Sequence, residues 1–128
     1  MAVTTASGEA FICDAILEKL AADEVTLYMG GVKTTPTKSS AGTAWTAPTG
    51  GARVEVTLAR TNDTLLNTLT DFGNAAAAEE IVGVNIYDAA SSGTRLFYGT
   101  LTSPVTTISG QALKMLAGAF SFSPDVDS

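Results

Sequence analysis

The first third of the chain changes from a helical to a strand pattern of apolar positions. In residues 8–22, apolar side chains recur four positions apart, at Ile12, Ile16 and Leu20, and Phe11 and Ala15 widen the stripe. This spacing predicts an amphipathic N-terminal helix that packs on something larger. From residue 25 the apolar positions alternate instead, which is typical of strands with one buried face.

Several short strands follow along the rest of the chain. The alternation predicts strands at 25–32, 53–60, 81–88, 94–101, 105–108, 112–116 and 119–123. A Ser/Gly turn between 81–88 and 94–101 predicts a β-hairpin, and Pro104 is expected to end the second of these strands. Residues 64–78 have no clear period, so we expect an irregular connection there, with one short strand near 68–72. The high helix propensity of alanine favours a helical conformation at Ala75 to Ala78.

Together these elements predict a mainly β fold. The expected architecture is an antiparallel β-sandwich or barrel of about seven or eight short strands with one N-terminal amphipathic helix. The 128 residues fit a single β-rich domain, 1–128. We expect residues 1–8 to form a flexible arm that orders on assembly, and residues 124–128 to form a frayed tail.

A long loop interrupts the strand pattern at residues 34–52. It contains Pro36 and Pro48, the pair Gly50-Gly51, and the only tryptophan, Trp45. Two roles are open for this side chain: an anchor in an interface, or a plug over the end of the barrel. A second glycine pair, Gly30-Gly31, suggests a bulge or a close approach of another segment.

The composition excludes several classes of function. Ala, Thr, Ser and Gly make up 61 of the 128 residues, only 16% are charged, and the net charge is −6. The seven basic residues are scattered, so nucleic acid and anionic membrane surfaces are not expected partners. The N-terminus has no signal-peptide pattern and no stretch long enough to span a membrane.

Candidate catalytic chemistry is also sparse. The chain has no histidine and a single cysteine, Cys13, which we expect to be a small buried apolar side chain. Glu79-Glu80 is interpreted as a solvated loop end, and Asp63, Asp71 and Asp88 as turn residues. The sequence therefore predicts no catalytic residue, no metal site and no cofactor.

The order of the motifs resembles a family of small bacteriophage virion proteins. The resemblance rests on ILEKL followed by VTLYMGGVKTTPT, and on IVGVNIYDAASSGTRLFYGTLTSPVTTISGQALKMLAGAFSFSPD. It covers most of the chain except residues 62–80. Members of this family are labelled head decoration proteins or tail fibre proteins.

The resemblance implies a non-enzymatic structural protein of the virion, made in the host cytoplasm. The expected role is capsid decoration: copies, expected as trimers, bind the major capsid protein on the outside of the assembled head and stabilise it. Trp45, Phe97 and Tyr98 are the expected interface residues. A tail or tail-fibre component is one alternative. The other is a carbohydrate-binding module in which Trp45 and Tyr28 stack on sugar rings.

Overall fold

A computed structural model describes residues 6–61 and 64–122. It places one helix before nine strands: α1 (Ala6–Ala22), β1 (Leu27–Val32), β2 (Val54–Val56), β3 (Leu58–Thr61), β4 (Thr64–Asn67), β5 (Thr70–Asn74), β6 (Glu80–Tyr87), β7 (Arg95–Thr106), β8 (Ala112–Met115) and β9 (Ser121–Phe122). The predicted mainly β fold with one N-terminal helix is confirmed. Residues 6–8 of the expected arm belong to α1. The first five residues of that arm, the turn residues 62–63 and the tail lie outside the described residues.

The strands form three antiparallel sheets in a sandwich-like arrangement. The largest has the order β2-β1-β6-β7, the second has the order β3-β4-β9, and β5 pairs with β8. The predicted hairpin of β6 and β7 is confirmed, with Ile86 opposite Phe97 and Asn85 opposite Tyr98. No closed barrel forms from these sheets.

The core lies between the sheets and is built from the apolar positions that alternate along them. Its largest fully buried side chains include Phe72, Phe120, Met29, Leu65 and Ile81. Glycines let segments of this core approach closely. A Cβ atom on Gly99 would lie 2.5 Å from Cε1 of Phe120, so the ring of Phe120 occupies the space that a side chain would fill.

Helix α1 contacts the core with a different edge from the one expected. Cys13 is fully buried, as predicted, and Leu17 and Leu20 pack against the core. Ile16 is only half-buried, and Phe11 is 76% exposed. The apolar stripe of α1 is therefore wider than the part that the core covers.

The predicted strand at 53–60 is two strands in the structure. The break falls at Thr57, whose carbonyl oxygen accepts hydrogen bonds at 3.0 Å from both the backbone N–H and the hydroxyl of Thr68. Thr68 follows the Leu58–Asn67 pair in register, so these bonds continue the pairing of β3 with β4 by one residue. The chain then passes from the sheet that contains β2 to the sheet that contains β3.

The region 64–78 is more regular than predicted. It forms β4 and β5 instead of a single short strand near 68–72. Ala75 to Ala78 are not helical, because Ala75 is tied to another segment: its N–H donates to the carbonyl of Gln111, and its carbonyl accepts from Gly110. Contacts that are distant in sequence override the weak helical propensity of the alanines.

The predicted separate strand at 105–108 is also wrong. β7 continues through Pro104 to Thr106, and Val105 lies opposite Ile81 of β6. Proline is tolerated here because β7 is an edge strand, where an N–H that points away from the sheet has no partner to lose. Residues 101–104 bulge from the ladder between the Thr100 and Val105 pairs.

Candidate interaction surface

Trp45 lies in the core. Its side chain is 6% exposed, and its ring meets that of Phe72 edge to face, with centroids 4.8 Å apart. The indole N–H donates to the carbonyl of Ala52 at 3.0 Å. The close approach expected at the Gly30-Gly31 pair is confirmed, since a Cβ atom on Gly31 would lie 2.5 Å from the Trp45 ring. Trp45 thus belongs to the core between the sheets, and the sheets form no closed barrel for it to cover.

Phe97 and Tyr98 lie side by side on β7 and face opposite sides of the sheet. Phe97 is half-buried and packs against the core, whereas Tyr98 is 38% exposed. The guanidinium of Arg95 stacks over the Tyr98 ring, 4.8 Å from its centroid. Phe97 and Tyr98 are therefore neighbours along β7 but lie on opposite faces of its sheet, and Trp45 lies elsewhere.

The two aromatic side chains expected for sugar stacking do not form one platform. Tyr28 lies between the buried Leu27 and Met29 on β1 and so faces away from the core that contains Trp45. A cleft of 180 Å³ beside Trp45 has the side chains of Arg53, Asn85 and Tyr87 in its wall. Arg53 and Asn85 are hydrogen-bonded within the chain, and the guanidinium of Arg53 covers the Tyr87 ring. The geometry does not support the stacking pair of Trp45 and Tyr28 expected for a carbohydrate-binding module.

The long loop is fixed to the sheet by two side chains. Arg95 donates hydrogen bonds to the carbonyls of Thr37, Lys38 and Ser40, and to the side-chain oxygen of Asn85. The amide of Asn85, which is 2% exposed, donates to the carbonyl of Ala41 at 2.8 Å. Residues 37–41 are thus held against the outer face of the sheet.

A second arginine fixes the hairpin turn. Arg53 stacks 3.4 Å from the centroid of Tyr87 and donates to the carbonyls of Ala89 and Ser92. In the same turn, the carboxylate of Asp88 accepts from the N–H of Thr94 at 2.7 Å, as expected for a turn aspartate. Both tyrosines of the hairpin therefore serve in packing.

Glu79 was predicted to be a solvated loop end, but its carboxylate is paired within the chain. Its side chain is 12% exposed and lies 3.4 Å from the ammonium of Lys33. Its carboxylate accepts from the Thr46 hydroxyl at 2.6 Å and from the Thr46 N–H at 3.0 Å. The hydroxyl bond is the main cause that lowers the pKa of Glu79; the Thr46 N–H and Lys33 also lower this pKa, and burial opposes them.

Replacing Glu79 by glutamine is expected to lower the free energy of unfolding at neutral pH by about 1–2 kcal/mol, because hydrogen bonds to a charged group are lost. A lowered pKa means that the carboxylate stabilises the fold above the pKa of the unfolded chain, and that this contribution is lost as the pH falls through the folded-state pKa. The difference between wild type and Glu79→Gln should therefore shrink on acidification. Urea denaturation between about pH 7 and pH 3 measures it.

The neighbouring Glu80 provides the control, because its side chain is exposed. Glu80→Gln should change the free energy of unfolding by no more than about 0.5 kcal/mol. Equal effects of the two substitutions across this pH range would contradict the role given to Glu79.

An apolar groove lies where α1 passes the start of β7. It has a volume of 390 Å³, and its apolar lining consists of Ile12, Ala15, Ile16, Leu20, Leu96 and Phe97. Leu96 is 41% exposed. Phe11 is one helical turn before Ala15 and so lies beside the groove. We call the groove, together with Phe11, the β7 surface.

The sequence pointed to part of this surface only. Phe97 was expected, whereas Leu96 and the helical side of the groove were not. One signal was present: Leu96 and Phe97 are consecutive large apolar residues, which breaks the alternation of a strand with one buried face. The structure explains it by a bulge, since Tyr87 lies opposite Arg95 and Ile86 lies opposite Phe97, leaving Leu96 unpaired.

Residues 6–61 and 64–122 contain neither a metal-binding cluster nor a membrane-spanning helix. No three or more Cys, His, Asp or Glu side chains in these ranges lie close enough together to hold a metal ion. The helix in this part of the chain is not long and apolar enough to cross a membrane.

Comparison with known proteins assigns the chain to a family. A search of curated proteins found no match. A family model described as "Podophage GP4 fiber I protein gp80" matches residues 3–123 and so includes the stretch 62–80, where the motif resemblance was absent. Because the match covers nearly the whole chain, the resemblance to small bacteriophage virion proteins is confirmed: the chain belongs to the podophage GP4 fiber I protein gp80 family and is a structural protein of the phage virion.

Proposed function

We propose that this chain is a non-enzymatic subunit of a virion fibre. The family match over residues 3–123 carries the proposal, because the family is described by a fibre protein. The fold agrees with such a role. Its conspicuous aromatic and arginine side chains, among them Trp45, Arg53 and Arg95, are used to fix loops and fill the core.

A fibre subunit has to associate with other subunits over part of its surface. The β7 surface offers exposed apolar area for this, at Phe11 and Leu96. Small side chains dominate the sequence, and burying them in a contact costs little rotamer entropy. Many copies with modest individual contacts can give a stable assembly through multivalency.

Labelling of purified virions tests the proposal. An antibody raised against this chain, coupled to gold and viewed by electron microscopy, is expected to label the fibres. Particles made with an amber codon in this gene are the control and should lose the label. Capsid decoration, the role expected from the sequence, predicts label spread over the head instead, and that distribution would overturn the fibre proposal.

A further inference from the structure

A second apolar cleft opens where α1 ends and the first strands begin. It has a volume of 450 Å³ and lies between α1, the start of β1 and the chain around Thr57, which joins β2 to β3. Seven of its eleven lining residues are apolar, among them Leu17, Leu20 and Val25, which are only half-buried. The apolar wall of this space, which we call the α1–β3 cleft, is therefore partly open to solvent.

The α1–β3 cleft also has two acidic residues in its lining. Glu24 follows the last turn of α1, Glu55 lies in β2, and both are exposed. Within residues 6–61 and 64–122, neither carboxylate has an ion pair; the ion pairs there use Asp14, Asp23 and Glu79. The cleft therefore suits apolar side chains that are accompanied by a positive charge.

Two exposed leucines lie close to this cleft. Leu69 is 59% exposed and Leu116 is 69% exposed. The last pair of the β5–β8 ladder at this end is Thr70 opposite Met115, so the two leucines are the next residues on each side of it. Neighbours across an antiparallel pair lie close together, and these leucines therefore form one apolar patch.

Lys114 adds a positive charge to this patch. Exposed and buried positions alternate from Lys114 to Leu116, so both side chains point outwards. The ammonium has no ion pair in the described part of the chain. Asp71, which lies opposite Lys114 in the ladder, accepts instead from the N–H of Gly73 at 2.9 Å. We call Leu69, Leu116 and Lys114 the leucine patch.

The leucine patch does not fill the α1–β3 cleft of its own chain. The hydroxyl of Thr68, the residue before Leu69, donates to the carbonyl of Thr57 in the cleft wall, so the patch and the cleft adjoin each other. Neither Leu69 nor Leu116 lines the cleft, and both stay exposed beside it. A second copy of the chain carries the same patch and can present it to the open side of the cleft.

We propose that the leucine patch of one copy docks in the α1–β3 cleft of another copy. This contact rests on the proposed function, in which copies associate. It buries Leu69 and Leu116 against the open apolar wall and brings the ammonium of Lys114 to the carboxylates of Glu24 and Glu55. The patch and the cleft are different parts of the surface, so every copy can give one and accept the other.

Light scattering of the purified full-length chain over a dilution series tests the docking. The mass should be 13.1 kDa at low concentration and should rise as the concentration approaches about 1 mM. Leu116→Glu turns a negative charge towards Glu24 and Glu55, and Ala21→Lys places a bulky cation in the cleft at an exposed position of α1. Each variant alone should associate about 10-fold more weakly than the wild type.

A mixture of the two variants gives the decisive result. The Leu116→Glu chain keeps its cleft and the Ala21→Lys chain keeps its patch, so the mixture should recover association and form pairs of twice 13.1 kDa. If circular dichroism shows that either variant does not fold, Lys114→Glu and Glu55→Lys, both at exposed positions, replace the two in the same experiment.

Matched controls make the same changes outside the two surfaces. Ile108→Glu alters a residue that is 55% exposed and is not in the leucine patch, and Ala22→Lys alters an exposed residue that follows Ala21 but does not line the cleft. Both should associate like the wild type. A wild type that stays at 13.1 kDa, a mixture that stays monomeric, or controls as weak as the variants would overturn the docking. Virion labelling decides the fibre role separately, so the two proposals can fail independently.

Discussion

Trp45→Ala is expected to lower the free energy of unfolding by about 4 kcal/mol, the largest effect of any substitution considered for this chain. The side chain is 6% exposed, packs edge to face on Phe72 and fills the space above Gly31. Its removal leaves a cavity that the sheets cannot close, and it also leaves the carbonyl of Ala52 without the indole donor. Domains of this size are stable by about 5–15 kcal/mol, so the variant should be close to unfolding at physiological temperature.

Urea denaturation followed by circular dichroism measures this effect, since the variant lacks the fluorescent side chain. Trp45→Phe keeps most of the ring and should lose less stability than Trp45→Ala. Leu69→Ala is the control for a large apolar residue that is 59% exposed, and it should change stability by about 0.5 kcal/mol or less. A Trp45→Ala variant as stable as this control would show that Trp45 is outside the core.

Asn67→Leu is expected to lower the free energy of unfolding by about 3 kcal/mol, although the two side chains are similar in size. Asn67 is fully buried. Its side-chain oxygen accepts from the N–H of Phe120 at 2.9 Å, and its amide donates to the carbonyls of Thr68 and Leu116, each at 3.0 Å. Leucine removes all three hydrogen bonds, each of which contributes about 0.5–1.5 kcal/mol. The Thr68 carbonyl still accepts from the Thr70 hydroxyl and the Leu116 carbonyl from the Ala119 N–H, so the bond to the Phe120 N–H is the one whose loss is not compensated by these neighbours.

The matched control is Asn74→Leu, because the side chain of Asn74 is exposed. It should change the denaturation midpoint little. Faster amide exchange at Phe120 in Asn67→Leu would locate the damage at the junction of β4 and β9. If both asparagine variants unfolded at the same urea concentration, the network around Asn67 would have no special importance.

The sequence was most informative where the pattern is local. The hairpin of β6 and β7 was predicted because clean alternation flanks a Ser/Gly turn, and both signals lie within a few residues. The division of 53–60 was not predictable, since it depends on bonds between Thr57 and Thr68 across a turn. Alternation continues through the break without change, so periodicity alone does not reveal where the strand changes sheets.

The interaction surface was likewise predictable only where it depends on local sequence. Phe97 could be proposed from the strand that carries it. The groove could not be predicted without knowing where α1 packs. Ile12 and Ile16 line it together with Leu96. They do so because α1 packs against the core through Cys13, Leu17 and Leu20. Trp45 could not be placed from the sequence, since a tryptophan in a Gly/Pro-rich loop fits the surface and the core equally well.

The position of Phe120 has a consequence for how the protein is made. Phe120 is fully buried, packs on Gly99, and its N–H donates to the side chain of Asn67. Among the described residues it is the last buried apolar residue in sequence, so the other buried apolar residues of the described chain are synthesised before it. While the ribosome holds residue 120, the sheets formed by preceding residues expose apolar surface and lack β9. Core closure therefore follows translation of this segment, and chains that terminate before it would be substrates for proteases instead of assembling into virions.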